Sequence, residues 1–421
     1  MDELPDKQER LAPIGRSERL VSLDWLRGLA VLGILLANIN GFSQVDTAYY
    51  WPDALPGGAK ASDKLAWVVQ FVLVDGKFRG IFSILFGAGM VLFIDKVEGY
   101  QKAMNLQARR LGWLALFGLA HFFLLFKGDI LFSYACAGLF ALFAIPMKAR
   151  TLVSAGILWG LAGALLQSFA YLPAALAEAG SDVLLTGPLD GEFYAEFWQG
   201  RLAEAAEGGA LMTGGSYWEI LAYRIENESD ALISYATFGF YETIPLMMIG
   251  MGFYKSGVFA AQEDAPHWLG LARFAFLLGL ALNLAIGLAV YWQDFPPYLT
   301  QLSFFGLSQF ANVPMLAGGV ALLAHYASQP RRGWLDERMI AAGRMAFSNY
   351  IGTSLVMVLI FQGWAGGLFG TMHRLESLLV VALGWALMLL WSKPWLARYR
   401  HGPLEWLWRC LTYWRIFPFK R

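Results

Sequence analysis

The sequence predicts an all-α, polytopic transmembrane bundle of about ten spans, with both termini in the cytosol. Apolar residues make up 57% of the chain and charged residues only 15%. Apolar runs of about 18 or more residues recur along it, which is the length a helix needs to cross the hydrocarbon core. Seventeen Trp and thirty-one Phe suit a lipid-facing surface with aromatic belts.

Composition also argues against several other classes of protein. The net charge is zero, so no overall field favours a nucleic-acid partner. The two cysteines, Cys136 and Cys410, form neither a disulfide framework nor a metal-ligand spacing with histidine, and no metal is expected. The first apolar run follows about twenty residues of mixed charge and has no convincing cleavage site, which argues against a signal peptide.

The apolar runs divide the chain into five parts. These are a cytosolic tail (1–18), an N-terminal half of five spans (19–172), an extracytoplasmic loop compatible with short helices (173–230), a C-terminal half of five spans (231–393), and a basic, aromatic cytosolic tail (394–421). The predicted spans are 20–43, 63–94, 110–126, 130–146, 151–172, 231–254, 268–292, 298–326, 339–362 and 376–393. Polar residues 75–79 interrupt the second span.

The orientation rests on the loop charges. Lysine and arginine concentrate on the side that holds both termini, which the positive-inside rule assigns to the cytosol. Loop residues that contribute to this excess are Lys96, Lys102, Arg109, Arg110, Arg331, Arg332 and Arg338.

Polar residues within the spans fall at two depths when a rise of about 1.5 Å per residue is applied. Asp24, Arg27 and Arg344 lie near the cytosolic face, whereas Glu242 lies near the midplane and Asn349 lies deeper than Arg344. The outer group consists of Asn38, Asn40, Lys77, Arg79, His121 and Asp129. Charge in hydrocarbon costs at least about 2.5–3.5 kcal/mol per residue, which favours a shared polar cavity.

Structural interpretations of these residues stay open. Asp24 and Arg27 are spaced i, i+3 and can pair with each other at a helix end. Arg344 can extend to the interface. His121 can hydrogen-bond a neighbouring helix, and Glu242 can satisfy a backbone group freed by Pro245.

Several motifs carry a family resemblance. DWLRGLAVLGILLANI, KFRGIFSILFGAGM, GLAHFFLLFKGDILFSYA, GRMAFSNYIGTS and HGPLEWLWRCLTY occur in this order along nearly the whole chain. The chain resembles the YeiB-like family of bacterial inner-membrane proteins. That family is similar to a superfamily of transmembrane acyltransferases that includes the heparan glucosaminide acetyltransferases. The resemblance implies a multi-pass protein of the bacterial cytoplasmic membrane that moves an acyl group from cytosolic acyl-CoA to an extracytoplasmic acceptor.

The resemblance to the acyltransferases rests mainly on the first span. Their Asp-x-x-Arg-Gly pattern corresponds to Asp24, Arg27 and Gly28. One branch has a catalytic histidine eleven residues past the arginine, where this chain has Asn38. The heparan branch has asparagine there and a histidine in the next outward loop, where this chain has none, although Tyr49 is nearby. The general base must therefore come from elsewhere.

The favoured hypothesis is an acyltransferase in which His121 is the general base and Asp129 orients its ring. Acyl-CoA is the expected donor, with Arg27 and Arg344 at its phosphates. Asp24 belongs to the same predicted cofactor-binding group. The acceptor is a glycan, a lipid or a small molecule. Residues assigned to its binding, or to a developing oxyanion, are Asn38, Asn40, Lys77, Arg79, Glu242 and Asn349.

Two alternatives use the same polar residues without transfer chemistry. One is a transporter or lipid-handling protein, for which the interruption at 75–79 and Pro245 are mild support. The other is a noncatalytic membrane scaffold. Membrane lipids are expected partners, nucleic acid is not, and a homodimer is left open.

Overall fold

The computed structural model describes residues 20–181, 190–260, 266–329 and 333–421. The predicted tail 1–18 and two arginines of the topology argument, Arg331 and Arg332, lie outside these ranges. The described chain is helical, and its β pairing is limited to one isolated bridge between Tyr399 and Lys420. The all-α class is therefore confirmed.

Eighteen α-helices form within the described ranges, and the long apolar ones build the bundle. The first nine are α1 (Val21–Ser43), α2 (Asp46–Tyr50), α3 (Ala61–Leu73), α4 (Lys77–Asp95), α5 (Tyr100–Leu124), α6 (Leu131–Ala141), α7 (Ala149–Glu178), α8 (Gly191–Gly214) and α9 (Tyr217–Asn227). The others are α10 (Ala231–Tyr241), α11 (Thr243–Lys255), α12 (Pro266–Trp292), α13 (Pro297–Gln301), α14 (Ser308–Ser328), α15 (Trp334–Arg344), α16 (Ala346–Phe361), α17 (Arg374–Arg398) and α18 (Pro403–Tyr413). A π-helical turn, Leu302–Leu307, joins α13 to α14.

Six helices or continuous helix pairs in the described chain are long and apolar enough to span a membrane, and up to eight if each of two bent pairs counts as one span. This is fewer than the ten expected. The other two expected spans fall on α5, whose first half carries several charges, and on α6. With its short helical extension, α6 covers Leu131–Ala144, and about 21 Å of helix is too short for the hydrocarbon core.

Three breaks interrupt the long helices and place polar groups inside the bundle. The chain turns between α3 and α4 at Gly76, whose φ of 77° lies in the left-handed region that glycine tolerates. The axis bends by 41° between α10 and α11, next to Glu242. It bends by 87° between α15 and α16, at Met345. Freed backbone groups at such breaks need partners inside the protein.

Glycines allow the closest helix crossings. A Cβ atom built on Gly28 of α1 would lie 2.0 Å from the carbonyl oxygen of Met339, and one on Gly343 of α15 would lie 1.8 Å from that of Asp24. Gly87 of α4 and Gly250 of α11 form a second such crossing. Small residues permit this backbone approach in membrane bundles, which explains the glycine in the Asp-x-x-Arg-Gly pattern.

The segment between α7 and α10 contributes two helices that cover one end of the bundle. Arg224 of α9 donates hydrogen bonds to the last turn of α5, at the carbonyl oxygens of Phe122 (3.1 Å) and Phe123 (2.8 Å). Lys127, in the α5–α6 turn, pairs with Asp46 and Glu228. Burial alone would lower the pKa of Lys127, but the two carboxylates outweigh it and raise that pKa above its ordinary value.

Candidate functional site

A cavity of about 340 Å³ lies inside the bundle, between α1, α4, α5, α6, α15, α16 and α18. Leucine, isoleucine, valine, methionine and phenylalanine make up nearly half of the residues that line it. The charged side chains that line it are Asp24, Arg27, Arg110, Arg344, Glu405 and Arg409. Four guanidinium groups against two carboxylates give this lining a net positive charge.

Arg27 reaches the cavity from α1. Its Nη1 atom donates to Oδ1 of Asp24, one turn earlier, over 3.1 Å, so the i, i+3 pairing considered for these residues does form. The Arg27 side chain is nevertheless 30% exposed. The crossing of α1 and α15 at Gly28 and Gly343 brings this pair beside Arg344.

The last helix, α18, returns to the same end of the cavity. The indole nitrogen of Trp408 donates to the carbonyl oxygen of Arg110 on α5 over 2.9 Å. The Arg110 guanidinium stacks 4.7 Å from the Trp408 ring and 4.4 Å from the ring of Phe93. Arg409 lies one residue further along α18 and contacts His401. Helices from both ends of the sequence therefore contribute to the basic end of the cavity. This end, which holds Arg27, Arg110, Arg344 and Arg409, is called the basic mouth below.

Glu405 fixes α18 to the N-terminus of α16. Its Oε1 atom accepts hydrogen bonds from the backbone amides of Phe347 (2.8 Å) and Ser348 (3.1 Å), and its Oε2 accepts one from the Ser348 hydroxyl. A carboxylate at this position satisfies two helix-terminal amides. Burial raises the pKa of Glu405 above its ordinary value, and these hydrogen bonds oppose that rise.

The apolar part of the cavity runs along α4 and ends at two tyrosines. Phe82 and Phe93 both line it, so it extends about 16 Å along that helix at 1.5 Å per residue. Tyr134 lines the far end and donates to the carbonyl oxygen of Arg79 over 2.7 Å. Tyr350 lines the same end, and its hydroxyl accepts the amide of Ile130 over 3.3 Å.

The predicted dyad forms behind Tyr350. Nδ1 of His121 lies 2.8 Å from Oδ1 of Asp129, and the two side chains are 0% and 1% exposed. Oδ2 of Asp129 accepts the amide of Phe132 over 2.7 Å. The His121 and Tyr350 rings lie 4.9 Å apart between centroids. In the described part of the chain, Nε2 of His121 is buried without a hydrogen-bond partner.

Gly118 allows this dyad to form. A Cβ atom there would lie 2.3 Å from the amide nitrogen of Phe132 and 2.9 Å from Oδ2 of Asp129. His121 follows Gly118 by about one turn and so emerges from the same face of α5. An oriented imidazole with one free nitrogen has the arrangement of a general base.

Arg79 and Glu242 make a separate bidentate ion pair. The guanidinium donates to the two carboxylate oxygens over 3.0 Å and 2.8 Å, and Gln309 donates to the same carboxylate over 3.3 Å. Glu242 therefore joins α4 to α11 at the second helix break. Through the carbonyl oxygen of Arg79, this pair adjoins Tyr134 at the end of the cavity.

The other predicted outer residues lie elsewhere, so the outer set is distributed over several groups. The amide of Asn40 donates to Gln70 over 2.9 Å. The ammonium group of Lys77 contacts Asn283 on α12 over 3.1 Å. Asn38 is half-buried and lies outside the cavity wall that the described residues form.

Asn349 forms a structural link in this arrangement. Its amide nitrogen donates to the carbonyl oxygen of Ala342 and to the hydroxyl of Ser392, each over 3.1 Å. Its amide oxygen accepts the indole N–H of Trp391 over 2.7 Å. These bonds tie α16 to α17 and, across the 87° bend, to α15.

Sequence reasoning missed most polar residues of the cavity, and five of them matter for the site. Arg110 was considered only as a loop charge, and Glu405 and Arg409 were considered only as part of the basic, aromatic tail (394–421). Tyr134 and Tyr350 were not predicted at all. Ser348 and Glu405 lie in the motifs GRMAFSNYIGTS and HGPLEWLWRCLTY and meet in the structure, but neither motif by itself shows that contact.

Fold and cavity define the class: an all-α membrane protein whose bundle encloses an apolar cavity with a basic mouth. Comparison with known proteins shows which members of this class the chain resembles. Residues 253–415 match the family described as protein of unknown function (DUF418). The uncharacterized protein YeiB of Escherichia coli (strain K12) is 28% identical over 94% of this chain and 96% of its own. The uncharacterized protein YxaH of Bacillus subtilis (strain 168) is 28% identical over 96% of each chain.

These similarities cover nearly the full length of both relatives. Together with the DUF418 match, they support the resemblance to the YeiB-like family that the motifs predicted. No solved structure matches the chain.

Proposed function

We propose that the protein is a transmembrane acyltransferase of the bacterial cytoplasmic membrane that takes its acyl group from cytosolic acyl-CoA. One observation carries the proposal. A cavity with a basic mouth extends through an apolar section to Tyr350, and a buried His121–Asp129 dyad lies directly behind that ring. The positive-inside argument puts the mouth on the cytosolic side, where acyl-CoA is available.

The mouth suits a phosphate-bearing donor. A guanidinium group can donate two parallel hydrogen bonds to a phosphate group. It also remains charged when it is partly buried. Arg27, Arg110, Arg344 and Arg409 come from four helices and line the same cavity. The apolar wall beyond them suits a hydrocarbon chain, because burying that chain removes its surface from water.

In the proposed reaction, Nε2 of His121 takes the proton from the acceptor hydroxyl or amine. The acceptor oxygen or nitrogen forms a bond to the acyl carbonyl carbon, and the carbon–sulfur bond of the thioester breaks. The thiolate then takes the proton and leaves as coenzyme A. Asp129 holds the imidazole in orientation, and Tyr350 must move aside so that the acyl carbon can approach His121.

The closed end of the cavity favours a second candidate. Tyr134 and Tyr350 separate the cavity from the dyad, so the protein would hold or move an anionic amphiphile without covalent transfer. Both candidates require binding at the basic mouth. They differ in whether a covalent product appears.

Inside-out vesicles that contain the full chain, supplied with radiolabelled palmitoyl-CoA or acetyl-CoA, distinguish the two. We expect label in the lipid or glycan fraction, and a drop of about 100-fold or more in His121→Ala, because a general base contributes about 10²–10⁴ in rate. His325→Ala is the matched control, since that histidine lies in α14 away from the cavity. Full activity of the His121→Ala protein would refute the mechanism. Saturable binding without any labelled product would favour the second candidate.

A further inference from the structure

A second buried polar group surrounds Asp75, at the break between α3 and α4 and outside the cavity. Asp75 is only 6% exposed. Its Oδ1 atom accepts a hydrogen bond from Gln70 over 3.2 Å. Among the described residues, its Oδ2 atom is buried without a partner. Asp75 precedes Gly76, whose left-handed backbone lets the chain turn there.

The cations nearest to Asp75 are engaged with other acceptors. Lys77 donates to the carbonyl oxygen of Phe71 over 2.5 Å and to Asn283. Arg79 pairs with Glu242. None of the ion pairs recorded within the described ranges includes the Asp75 carboxylate.

The remaining ionisable neighbours come from other helices. Arg374 at the start of α17 donates to Gln70 over 3.2 Å and to the carbonyl oxygens of Ala48 and Tyr49. The phenol of Tyr49 on α2 interacts electrostatically with Asp75. The same phenol also interacts with the carboxylate of Glu242. Neighbours of both signs therefore surround Asp75, but no direct counter-ion from the described chain lies on its unpartnered oxygen.

We infer that Asp75 is a proton-binding site within the membrane domain and that it takes up a proton on Oδ2. An ionised carboxylate that is buried without a counter-ion is strongly disfavoured, and protonation relieves this penalty. Ionisable residues inside a span commonly mark ion or proton pathways, and broken helices are where transport proteins bind coupling ions. This inference is independent of acyl transfer.

A hydrogen-bonded chain connects Asp75 to the protein surface. His373 has a side chain that is 24% exposed, and its Nδ1 lies 2.9 Å from Oδ2 of Asp63. Oδ1 of Asp63 accepts the amide of Arg374 over 3.0 Å. Arg374 and Asp75 both bond to Gln70. These contacts link the surroundings of Asp75 to a partly exposed side chain without involving the apolar cavity.

Infrared difference spectra of the full chain in lipid nanodiscs, recorded between pH 8 and pH 5, test the inference. We expect a carbonyl band of a protonated, buried carboxylic acid that appears as pH falls and is lost in Asp75→Asn. Asp24→Asn is the matched control, because Asp24 is equally buried (7% exposed) but paired with Arg27. Its spectrum should keep the band. An unchanged titration in Asp75→Asn would overturn the inference.

Lys77→Gln provides a second measurement if Asp75→Asn does not fold. Removing a neighbouring positive charge makes ionisation of the carboxyl group harder, so the midpoint of the band should move to higher pH by about one unit or more. A midpoint that stays in place would show that the titrating group lies elsewhere, and would also overturn the assignment.

Discussion

Gly343→Ala tests the crossing that builds the basic mouth. A Cβ atom at this position would lie 1.8 Å from the carbonyl oxygen of Asp24 and 2.6 Å from the amide nitrogen of Gly28. Both are backbone atoms, so no flexible side chain can give way. The α1 and α15 axes must separate before the methyl group fits.

The expected size of the effect follows from two opposing terms. Overpacking a close-packed interior costs about 1–3 kcal/mol, and occasionally more. Replacing glycine by alanine within a helix stabilises the folded protein by about 0.5–1 kcal/mol. Because the overlap at Gly343 is with backbone, the first term should dominate, and the net loss of stability is about 1–3 kcal/mol. Separation of the helices also moves Arg27 relative to Arg344, so binding of the proposed acyl-CoA donor should weaken.

Thermal unfolding in detergent, followed by tryptophan fluorescence, measures the loss of stability. Gly352→Ala in α16 is the control, since a Cβ atom built on Gly352 would have no neighbour from the described chain within 4 Å. That variant should be as stable as the wild type or slightly more so. A Gly343→Ala protein with wild-type stability and wild-type binding of acyl-CoA would refute the argument that this crossing positions the mouth.

Two further predictions concern buried carboxylates. Burial raises the pKa of Glu405 above its ordinary value of 4.5, so this group's contribution to stability is full below that value and is lost as pH rises through the folded-state pKa. The pH dependence of unfolding should therefore be shallower in Glu405→Gln; an identical profile would contradict this. Glu242→Ala leaves Arg79 without its partner and should lower the free energy of unfolding by about 3 kcal/mol. This is the lower end of the range for a broken buried ion pair, because the Arg79 side chain is partly exposed. Arg79→Met in the same chain should recover much of that loss in a denaturant titration, and a strictly additive double variant would count against the pairing.

Much of the helical framework could be predicted because length and hydropathy are local properties of the sequence. The interruption after Val74 and the break beside Glu242 both appear where polar residues and Gly76 or Pro245 interrupt apolar runs. The 87° bend at Met345 was not predicted, since it depends on how α15 packs across α1 at Gly343.

The depth of a side chain along its helix could also be predicted from the sequence. The direction in which that side chain points around the helix axis could not. His121 and Asp129 were assigned the same outer level, and they meet. Asn40 and Lys77 share that level but bond to α3 and α12 instead. The rise per residue fixes height alone, and the neighbour that each side chain contacts depends on tertiary packing.

Arg409 and Glu405 illustrate a second limit. Their tail has the composition of an interfacial anchor, and no local pattern shows that it folds back onto α5 and α16. Only the contacts of Trp408 with Arg110 and of Glu405 with Ser348 reveal it.

The return of α18 to the basic mouth has a consequence for biogenesis. This helix leaves the ribosome after every membrane helix of the described chain, so α1, α4 and α5 are synthesised before the segment that completes the cavity they line. Until α18 docks, the amides of Phe347 and Ser348 have no acceptor from Glu405, and the cavity stays open on that side. The lining of the cavity is thus complete only after translation has passed the last membrane span.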